Sequence, residues 1–256
     1  MACAVSSHNR LASISVNGDS LSLRKRVAIV TGGGRGIGRA TALALAREGA
    51  MVVVASRTLA EIETVAEEVR NMGGEALAIQ TDVLREADVI RMVSRTVETF
   101  GRIDVLVNNA GVNIRPKSVV DLRVEEWEWL MSINMTGVFL CSKHVFKRMV
   151  EQGSGKIVNV SSIGGRHGAK GRAPYRPSKA AVINFTECLA EEGKEHGVNV
   201  NAVCPAGTDT EMIRSIFPGR DALKLMRPEE VADVIVFLAS DSSRGLNGVI
   251  VDMPGK

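Results

Sequence analysis

Short runs of β-branched and small apolar residues alternate with longer amphipathic segments along the chain from Arg26 onward. Each pair has about the length of a strand followed by a helix, and such alternation predicts a parallel sheet. Most runs are nearly unbroken Val, Ile and Ala, which is typical of strands buried on both faces. The predicted strands are 27–31, 51–55, 76–80, 105–107, 156–160, 198–203 and 248–251.

Between these runs, apolar residues recur with the helical period of 3.6. Thr58 and Glu61 have the spacing of a capping box, and Pro228 followed by two glutamates suits a first helical turn. The chain shows no linker and no internal repeat. Residues 23–256 are therefore predicted to form a single α/β domain, a doubly wound parallel sheet of about seven strands with helices on both faces.

The composition is that of an ordinary globular chain, with 45% apolar and 24% charged residues among 256. It excludes collagen-like, disordered and coiled-coil classes. The net charge of +3 comes from interspersed basic and acidic residues, and aromatic residues make up 4%, so no nucleic-acid partner is expected. No apolar run reaches the roughly 18 residues of a membrane span, and no membrane association is expected.

The cysteines Cys3, Cys141, Cys188 and Cys204 form no CxxC pair. No group of cysteines or histidines has the spacing of a metal site, so no metal is expected. A reducing, cytoplasmic location is the default expectation. Residues 1–22 contain six serines and few charges; they are predicted to be a disordered extension, and an organellar transit peptide remains an alternative.

A cluster of glycines follows the first predicted strand in the run TGGGRGIG at 31–38 and opens the next helix. A strand that turns on glycines into a helix exposes backbone N–H groups and the positive end of the helix dipole, which suits a pyrophosphate. The spacing is G-xxx-G-x-G rather than G-x-G-x-x-G, and a flexible turn is the plain alternative. The flanking strand and helix favour a dinucleotide site of the Rossmann type.

Two further motifs follow in order, NNAG at 108–111 and YRPSK at 175–179. With these three motifs the chain resembles the short-chain dehydrogenase/reductases from about residue 23 to its C-terminus, most of all the 3-oxoacyl-thioester (acyl-carrier-protein) reductases. The resemblance implies an NAD(P)-dependent oxidoreductase acting on CH–OH or C=O groups. It also implies a catalytic tetrad, which falls on Asn134, Ser162, Tyr175 and Lys179.

Tyr175 and Lys179 are four residues apart at the start of a helical pattern, so their side chains share a face. A nearby ammonium favours the phenolate and moves the tyrosine pKa from about 10 toward the range of a proton donor or acceptor. An ordinary surface pair is the alternative. By the resemblance, Tyr175 transfers the proton, Ser162 orients the substrate oxygen, Lys179 also holds the nicotinamide ribose and Asn134 fixes a water.

The coenzyme type can be argued from the end of the second strand. A carboxylate there would accept bonds from a ribose 2′-OH, whereas this chain has Ser56 and Arg57, so NADP(H) is predicted over NAD(H). A solvated charge is the alternative for Arg57. The resemblance places Asp82 at the adenine, with a simple turn residue as the alternative. The full set of expected coenzyme contacts is Gly32, Arg35, Gly36, Ile37, Gly38, Ser56, Arg57, Asp82, Val83, Asn109, Ala110, Gly111, Tyr175, Lys179, Pro205 and Thr210.

Some positions depart from the family pattern. Ala206 stands where glycine is usual, which puts in doubt the register that would bring Thr210 to the nicotinamide amide. The lid segment 211–226 is short, and the C-terminal segment 247–255 is compressed. Candidates for the substrate pocket are an apolar wall of Met212, Ile216 and Phe217, and His167 in a loop. Gly153 and His196 stand where carrier-protein reductases tend to keep basic docking residues.

The expected function is NADPH-dependent reduction of a ketone or 3-oxoacyl group to a secondary alcohol. One alternative is NADP-dependent oxidation of a steroid, sugar or other secondary alcohol. Another is a dinucleotide-binding regulator without catalysis, although such a protein would not require all four tetrad residues. The resemblance also implies a homotetramer or homodimer built through the two long helices around 136–150 and 178–196.

Overall fold

The protein is described by a computed structural model that covers residues 23–255; the predicted disordered extension, residues 1–22, lies outside the described residues. Seven strands form one sheet in which all neighbouring pairs run parallel. The fold predicted from the sequence is confirmed. The strands are β1 (Val27–Thr31), β2 (Met51–Ser56), β3 (Ala76–Gln80), β4 (Val105–Asn108), β5 (Gly155–Val160), β6 (Val198–Pro205) and β7 (Ile250–Met253).

Helices cover both faces of the sheet because successive strand residues point to opposite sides. In β1, Ala28 and Val30 pack into one apolar cluster and Ile29 into the other. The first cluster is completed by α1 (Gly36–Arg47), α2 (Leu59–Asn71) and α8 (Pro228–Ala239). The second is completed by α3 (Glu86–Phe100), α5 (Gly137–Gln152) and α6 (Tyr175–Gly193). Two shorter helices are α4 (Val124–Met131) and α7 (Glu211–Ile216).

The order of the strands across the sheet is β3-β2-β1-β4-β5-β6-β7. The chain builds outward from β1 to β3 and then crosses back to place β4 on the other side of β1. Loops that leave the carboxyl ends of β1 and β4 therefore diverge and open a crevice, which is where ligands bind in open α/β sheets. Both sequence motifs, the glycine run and NNAG, follow these two strands.

Two local predictions need correction. Thr58 is the N-cap residue of α2, but its side chain makes no capping hydrogen bond. Glu61 instead turns its carboxylate toward Gly34 and Arg35, so the predicted capping box is absent. The last strand begins at Ile250 rather than at Gly248, because Gly248 has a φ of +72°, which lies outside the extended region of a strand. No helix among residues 23–255 is long and apolar enough to cross a membrane.

Candidate active site

A cavity of about 510 Å³ lies along the carboxyl-terminal edge of the sheet, over the crevice between β1 and β4. Its walls come from the glycine turn, the NNAG segment, the loop after β5, the start of α6 and the segment around α7. Most residues predicted from the sequence line it. They are Gly32, Arg35, Gly36, Ile37, Ser56, Arg57, Asp82, Val83, Asn109, Ala110, Gly111, Ser162, Tyr175, Lys179, Pro205 and Thr210, whereas Gly38 and Asn134 lie behind the wall.

The glycine turn has the shape of an anion cradle. Gly32 and Gly36 have φ angles of +62° and +53°, in a backbone region that residues other than glycine rarely adopt. A Cβ on Gly38 would overlap the carbonyl oxygen of Gly32. Helix α1 then begins without a side-chain cap at Arg35 and without an acidic residue in its first turn. Its N-terminal N–H groups thus suit a pyrophosphate, so the turn fits a dinucleotide coenzyme.

The NNAG segment is fastened to β1 by Thr31. The hydroxyl oxygen of Thr31 accepts hydrogen bonds from the backbone N–H groups of Asn109 and Ala110, both at 3.1 Å. The Asn109 amide donates in turn to the carbonyl oxygens of Thr31 and Gly32. Sequence analysis placed Thr31 in the glycine motif but gave it no role. This buried threonine holds the two motifs together at the mouth of the crevice.

Tyr175, Ser162 and Lys179 converge on one wall of the cavity. Tyr175 is the first residue of α6, and Lys179, one turn later, places its Nζ 6.0 Å from the centre of the phenol ring. Ser162 follows β5, where its hydroxyl accepts a hydrogen bond from Gly164 N–H at 3.1 Å. A hydrogen bond between the Ser162 hydroxyl and the Tyr175 phenol lowers the pKa of the phenol. The three side chains that the sequence separates are therefore brought together.

Asn134 is fully buried in a π-helical turn, Ser132–Thr136, between α4 and α5. Its side chain donates to the carbonyl oxygen of Val112 and to the Ser178 hydroxyl, and accepts from the N–H of Val112. A Cβ on Gly111 would lie 3.2 Å from Asn134 Oδ1 and 3.5 Å from Lys179 Nζ. Asn134 thus contacts the site indirectly, through the NNAG segment. The short π turn orients its side chain toward this segment, and such turns are often found at functional sites.

The end of the crevice beside β2 carries both positively and negatively charged side chains. Ser56 and Arg57 follow β2 at the cavity wall, as expected. Arg35 reaches across to Glu211 on α7, with Nη1 2.7 Å from Oε2, and lies 4.0 Å from Glu61. Sequence analysis did not single out either glutamate as a member of this site. Their carboxylates flank the arginine that is expected beside a 2′-phosphate.

Asp82 has the turn role weighed from the sequence and also lies at the cavity wall. Its Oδ1 accepts a hydrogen bond from Leu84 N–H at 3.1 Å, which is turn chemistry. Thr210 caps α7 through Ile213 N–H and lies against Gly36. The departure at Ala206 does not move Thr210 from the crevice, since Ala206 continues the pairing of β6 with Met253.

The model of the short chain dehydrogenase family matches residues 26–221. The chain belongs to this family. A 3-oxoacyl-[acyl-carrier-protein] reductase of Synechocystis sp. is 45% identical, over 86% of this chain and 91% of the relative. A cis-4-hydroxycyclohexanecarboxylate dehydrogenase of Sinomonas cyclohexanicum is 41% identical over 90% and 96%. A solved structure of an actinorhodin polyketide ketoreductase variant with NADPH has a TM-score of 0.84 and 33% identity, over 90% of this chain and 96% of that one.

Burial shifts the pKa values of Tyr175 and Lys179, which line the cavity of this short-chain dehydrogenase. It raises the pKa of Tyr175 above its usual value, against the opposing effects of Ser162 and Arg172. It lowers the pKa of Lys179 to about 8. The expectation that the ammonium would bring the phenol pKa down is therefore wrong for the chain by itself, because removal from water outweighs the nearby charges.

The substrate end of the dehydrogenase site differs in part from expectation. Met212 and Phe217 line the cavity, but Ile216 is buried outside it, so its predicted place in the wall is wrong. His167 is exposed outside the cavity, and its carbonyl oxygen accepts from Arg176. Sequence analysis missed Arg172, Arg176 and Arg220, all of which line the cavity. No spacing in the sequence marks them together, because Arg172 and Arg176 flank Tyr175 at the start of α6 whereas Arg220 follows α7.

Proposed function

We propose that this short-chain dehydrogenase reduces a ketone or 3-oxoacyl carbonyl to a secondary alcohol, with NADPH as the hydride donor and Tyr175 as the proton donor. The observation that carries the proposal is the convergence of a half-buried phenol, a serine hydroxyl and a buried ammonium beside the glycine turn. A nicotinamide bound there would supply the hydride. The similarity to a 3-oxoacyl-[acyl-carrier-protein] reductase supports the reaction class.

The protonation state of the phenol supports reduction. Because burial raises the pKa of Tyr175, the phenol holds its proton at neutral pH and can give it to the substrate oxygen as negative charge develops there. Ser162 donates a hydrogen bond to the same oxygen and orients the carbonyl. Lys179 donates to the carbonyl oxygen of Val160 at 2.8 Å, which leaves its other N–H groups to hold the ribose hydroxyls that a bound coenzyme would place there.

The test is a panel of ketones and 3-oxoacyl thioesters followed through the absorbance of NADPH. Tyr175→Phe is expected to lower kcat by about 10²- to 10⁴-fold, since a positioned proton donor contributes that much. Binding of NADPH, measured by fluorescence titration, should change less than about threefold, because the ring and its packing remain. Wild-type protein that binds NADPH but reduces no member of the panel would favour the regulator instead.

The opposite direction has one observation in its favour, the similarity to a relative named as a dehydrogenase of a hydroxy acid. Initial rates for ketones with NADPH, compared with those for the matching alcohols with NADP⁺ at pH 7, separate the two directions. We expect the ketones to react faster because the phenol is protonated at this pH. Faster oxidation of the alcohols at pH 7 would contradict the proposed direction.

The preference for NADPH is proposed from the cationic end of β2. No carboxylate stands at Ser56 or Arg57 to bind a ribose 2′-OH, and Arg35 lies nearby in the same cavity. Arg57→Asp should lower the ratio of kcat/KM for NADPH over NADH by about tenfold or more, because a charge-assisted bond to phosphate is replaced by repulsion. Arg95→Asp on α3, outside the cavity, is the control. An unchanged ratio in Arg57→Asp would refute the assignment.

We also propose a homotetramer or homodimer built through α5 and α6. Phe139 on α5 is 43% exposed and packs edge-on against Phe185 of α6, with ring centres 6.3 Å apart. An exposed aromatic patch of this kind suits a contact between subunits. A cytoplasmic site of action is proposed from the cysteine pattern of the sequence alone.

A further inference from the structure

Two arginines meet beside the catalytic tyrosine at the substrate end of the cavity. The guanidinium carbon of Arg172 lies 5.3 Å from the ring centre of Tyr175 and 5.0 Å from that of Phe217. The guanidinium carbon of Arg220 lies 5.9 Å from the same Phe217 ring. Arg172 precedes α6, whereas Phe217 and Arg220 follow α7. The fold therefore gathers two cations around one aromatic ring next to the reaction site.

Neither guanidinium has an acidic partner among residues 23–255. The acidic side chains that line the cavity are Glu61, Asp82 and Glu211, and all three lie at the coenzyme end. Two of them flank Arg35, and Asp82 accepts a hydrogen bond from backbone. The charges that act on Arg172 are the like charges of Arg176 and Arg220, beside the phenol of Tyr175. Positive charge is thus concentrated where an uncharged substrate would not need it.

Neutral acceptors hold Arg172 in place. Its Nη2 donates to the side-chain oxygen of Asn113 at 3.2 Å, and its Nη1 donates at 3.4 Å to the carbonyl oxygen of Ile114. A guanidinium has five N–H donors, so these two bonds leave others for a ligand in the cavity. Since the group is half-buried and stacked on two rings, its position is fixed before a ligand arrives. Such a group suits the paired oxygens of a carboxylate.

We propose that Arg172 and Arg220 bind a carboxylate of the substrate, so that the preferred substrate is an oxo acid whose ketone lies at Tyr175. Arg172 stacks on the ring that carries the reacting hydroxyl, so the carboxylate and the ketone are separated by a short spacer, such as a six-membered ring. The inference rests on the proposed reduction and names its substrate class. A thioester substrate would be neutral at this position and would leave the two cations without a partner.

The test compares each oxo acid with its uncharged ester. With 4-oxocyclohexanecarboxylate and its methyl ester, wild-type protein should show a kcat/KM for the acid about tenfold or more above that for the ester. Arg172→Gln and Arg220→Gln should each lower this ratio by about tenfold. The ratio cancels any effect of Arg172 on the phenol, because the acid and the ester need the same proton. Arg95→Gln on α3 is the control and should leave the ratio unchanged.

A binding measurement separates this inference from the proposed reduction. Cyclohexanecarboxylate should bind the protein loaded with NADPH in calorimetric titration, and cyclohexanecarboxamide, which is uncharged, should bind at least about tenfold more weakly. Suppose that the protein reduces no ketone, but that cyclohexanecarboxylate binds more tightly than the carboxamide and that Arg172→Gln and Arg220→Gln remove this difference. That result would support the anion site and reject the reduction. Equal reduction of acid and ester by wild-type protein would overturn the anion site and leave the reduction standing.

Discussion

Lys179 is a charged side chain in a position that water barely reaches. The residue is 6% exposed, and burial lowers the pKa of its ammonium from 10.5 to about 8. Below pH 8 the ammonium is charged in both the folded and the unfolded chain, so the folded state bears the full cost of burial. Between pH 8 and 10.5 the folded chain gives up its proton first, and stability rises with pH. The charged Lys179 ammonium in the site thus lowers the free energy of unfolding of the protein.

Lys179→Met should therefore stabilise the protein without coenzyme while removing its activity. A shift of this size corresponds to roughly 3 kcal/mol, and the lost bond to Val160 offsets about 1 kcal/mol of it. We expect a gain of about 2 kcal/mol in the free energy of unfolding at pH 7, measured by urea denaturation, that shrinks as the pH rises from 8 to 10.5. Lys147→Met, at an exposed position of α5, is the control. A loss of stability in Lys179→Met at pH 7 would contradict this account.

Residues of the site were predictable from the sequence where a motif fixed them. Tyr175 and Lys179 share a helix face by spacing, and Ser162 follows a strand that points at the crevice. Arg172 and Arg220 were not predictable, because their meeting depends on how the segment after α7 folds back over α6. The pKa of Tyr175 was mispredicted for a related reason, since burial is a property of the assembled site.

At the scale of elements, the strands were the most predictable part of the fold. Unbroken apolar runs placed all seven to within about two residues at their ends, the usual uncertainty of such boundaries. The capping box at Thr58 failed because Glu61 has competing partners across the crevice. The π turn around Asn134 also escaped prediction, since it depends on the side-chain bonds of Asn134 to Val112 and Ser178.

The junction between β1 and α1 leaves no room for a side chain at Gly38. A Cβ there would overlap the oxygen of Gly32 and approach Asn109 Nδ2 to 2.5 Å. Gly38→Ala should lower the free energy of unfolding by about 2 kcal/mol, because overpacking forces the backbone to shift. It should also weaken NADPH binding, measured by fluorescence titration. Gly245→Ala, where the added methyl meets no atom within 4 Å, is the matched control. Equal stability of the two variants would contradict the proposed overlap.

At the scale of the whole molecule, the crossover from β3 to β4 determines where the chemistry lies. The strand order places the carboxyl ends of β1 and β4 side by side, and Thr31 bridges them. Alternation of strands and helices predicted the parallel sheet and its two covered faces, because a crossover helix must lie on one face or the other. Tyr175, Ser162 and Lys179 converge because the segments that carry them lie at this same carboxyl-terminal edge of the sheet.

The proposed assembly through α5 and α6 predicts the effect of a charge at its centre. Phe139→Glu should lower the mass measured by light scattering from that of a dimer or tetramer of the 27.4 kDa chain toward a smaller species, because a buried unpaired carboxylate opposes association. Leu223→Glu is the control, since Leu223 is 87% exposed and belongs to neither helix. An unchanged mass in Phe139→Glu would contradict an interface at this face.

The contact of Arg35 with Glu211 joins the dinucleotide cradle to the short helix over the substrate. A phosphate on the adenosine ribose would compete with Glu211 for the guanidinium of Arg35. Binding of the dinucleotide would therefore change the contact that holds α7, before the carbonyl substrate binds. We therefore expect a compulsory order of addition, with the dinucleotide entering first and leaving last. The dinucleotide product would accordingly act as a purely competitive inhibitor against its reduced form.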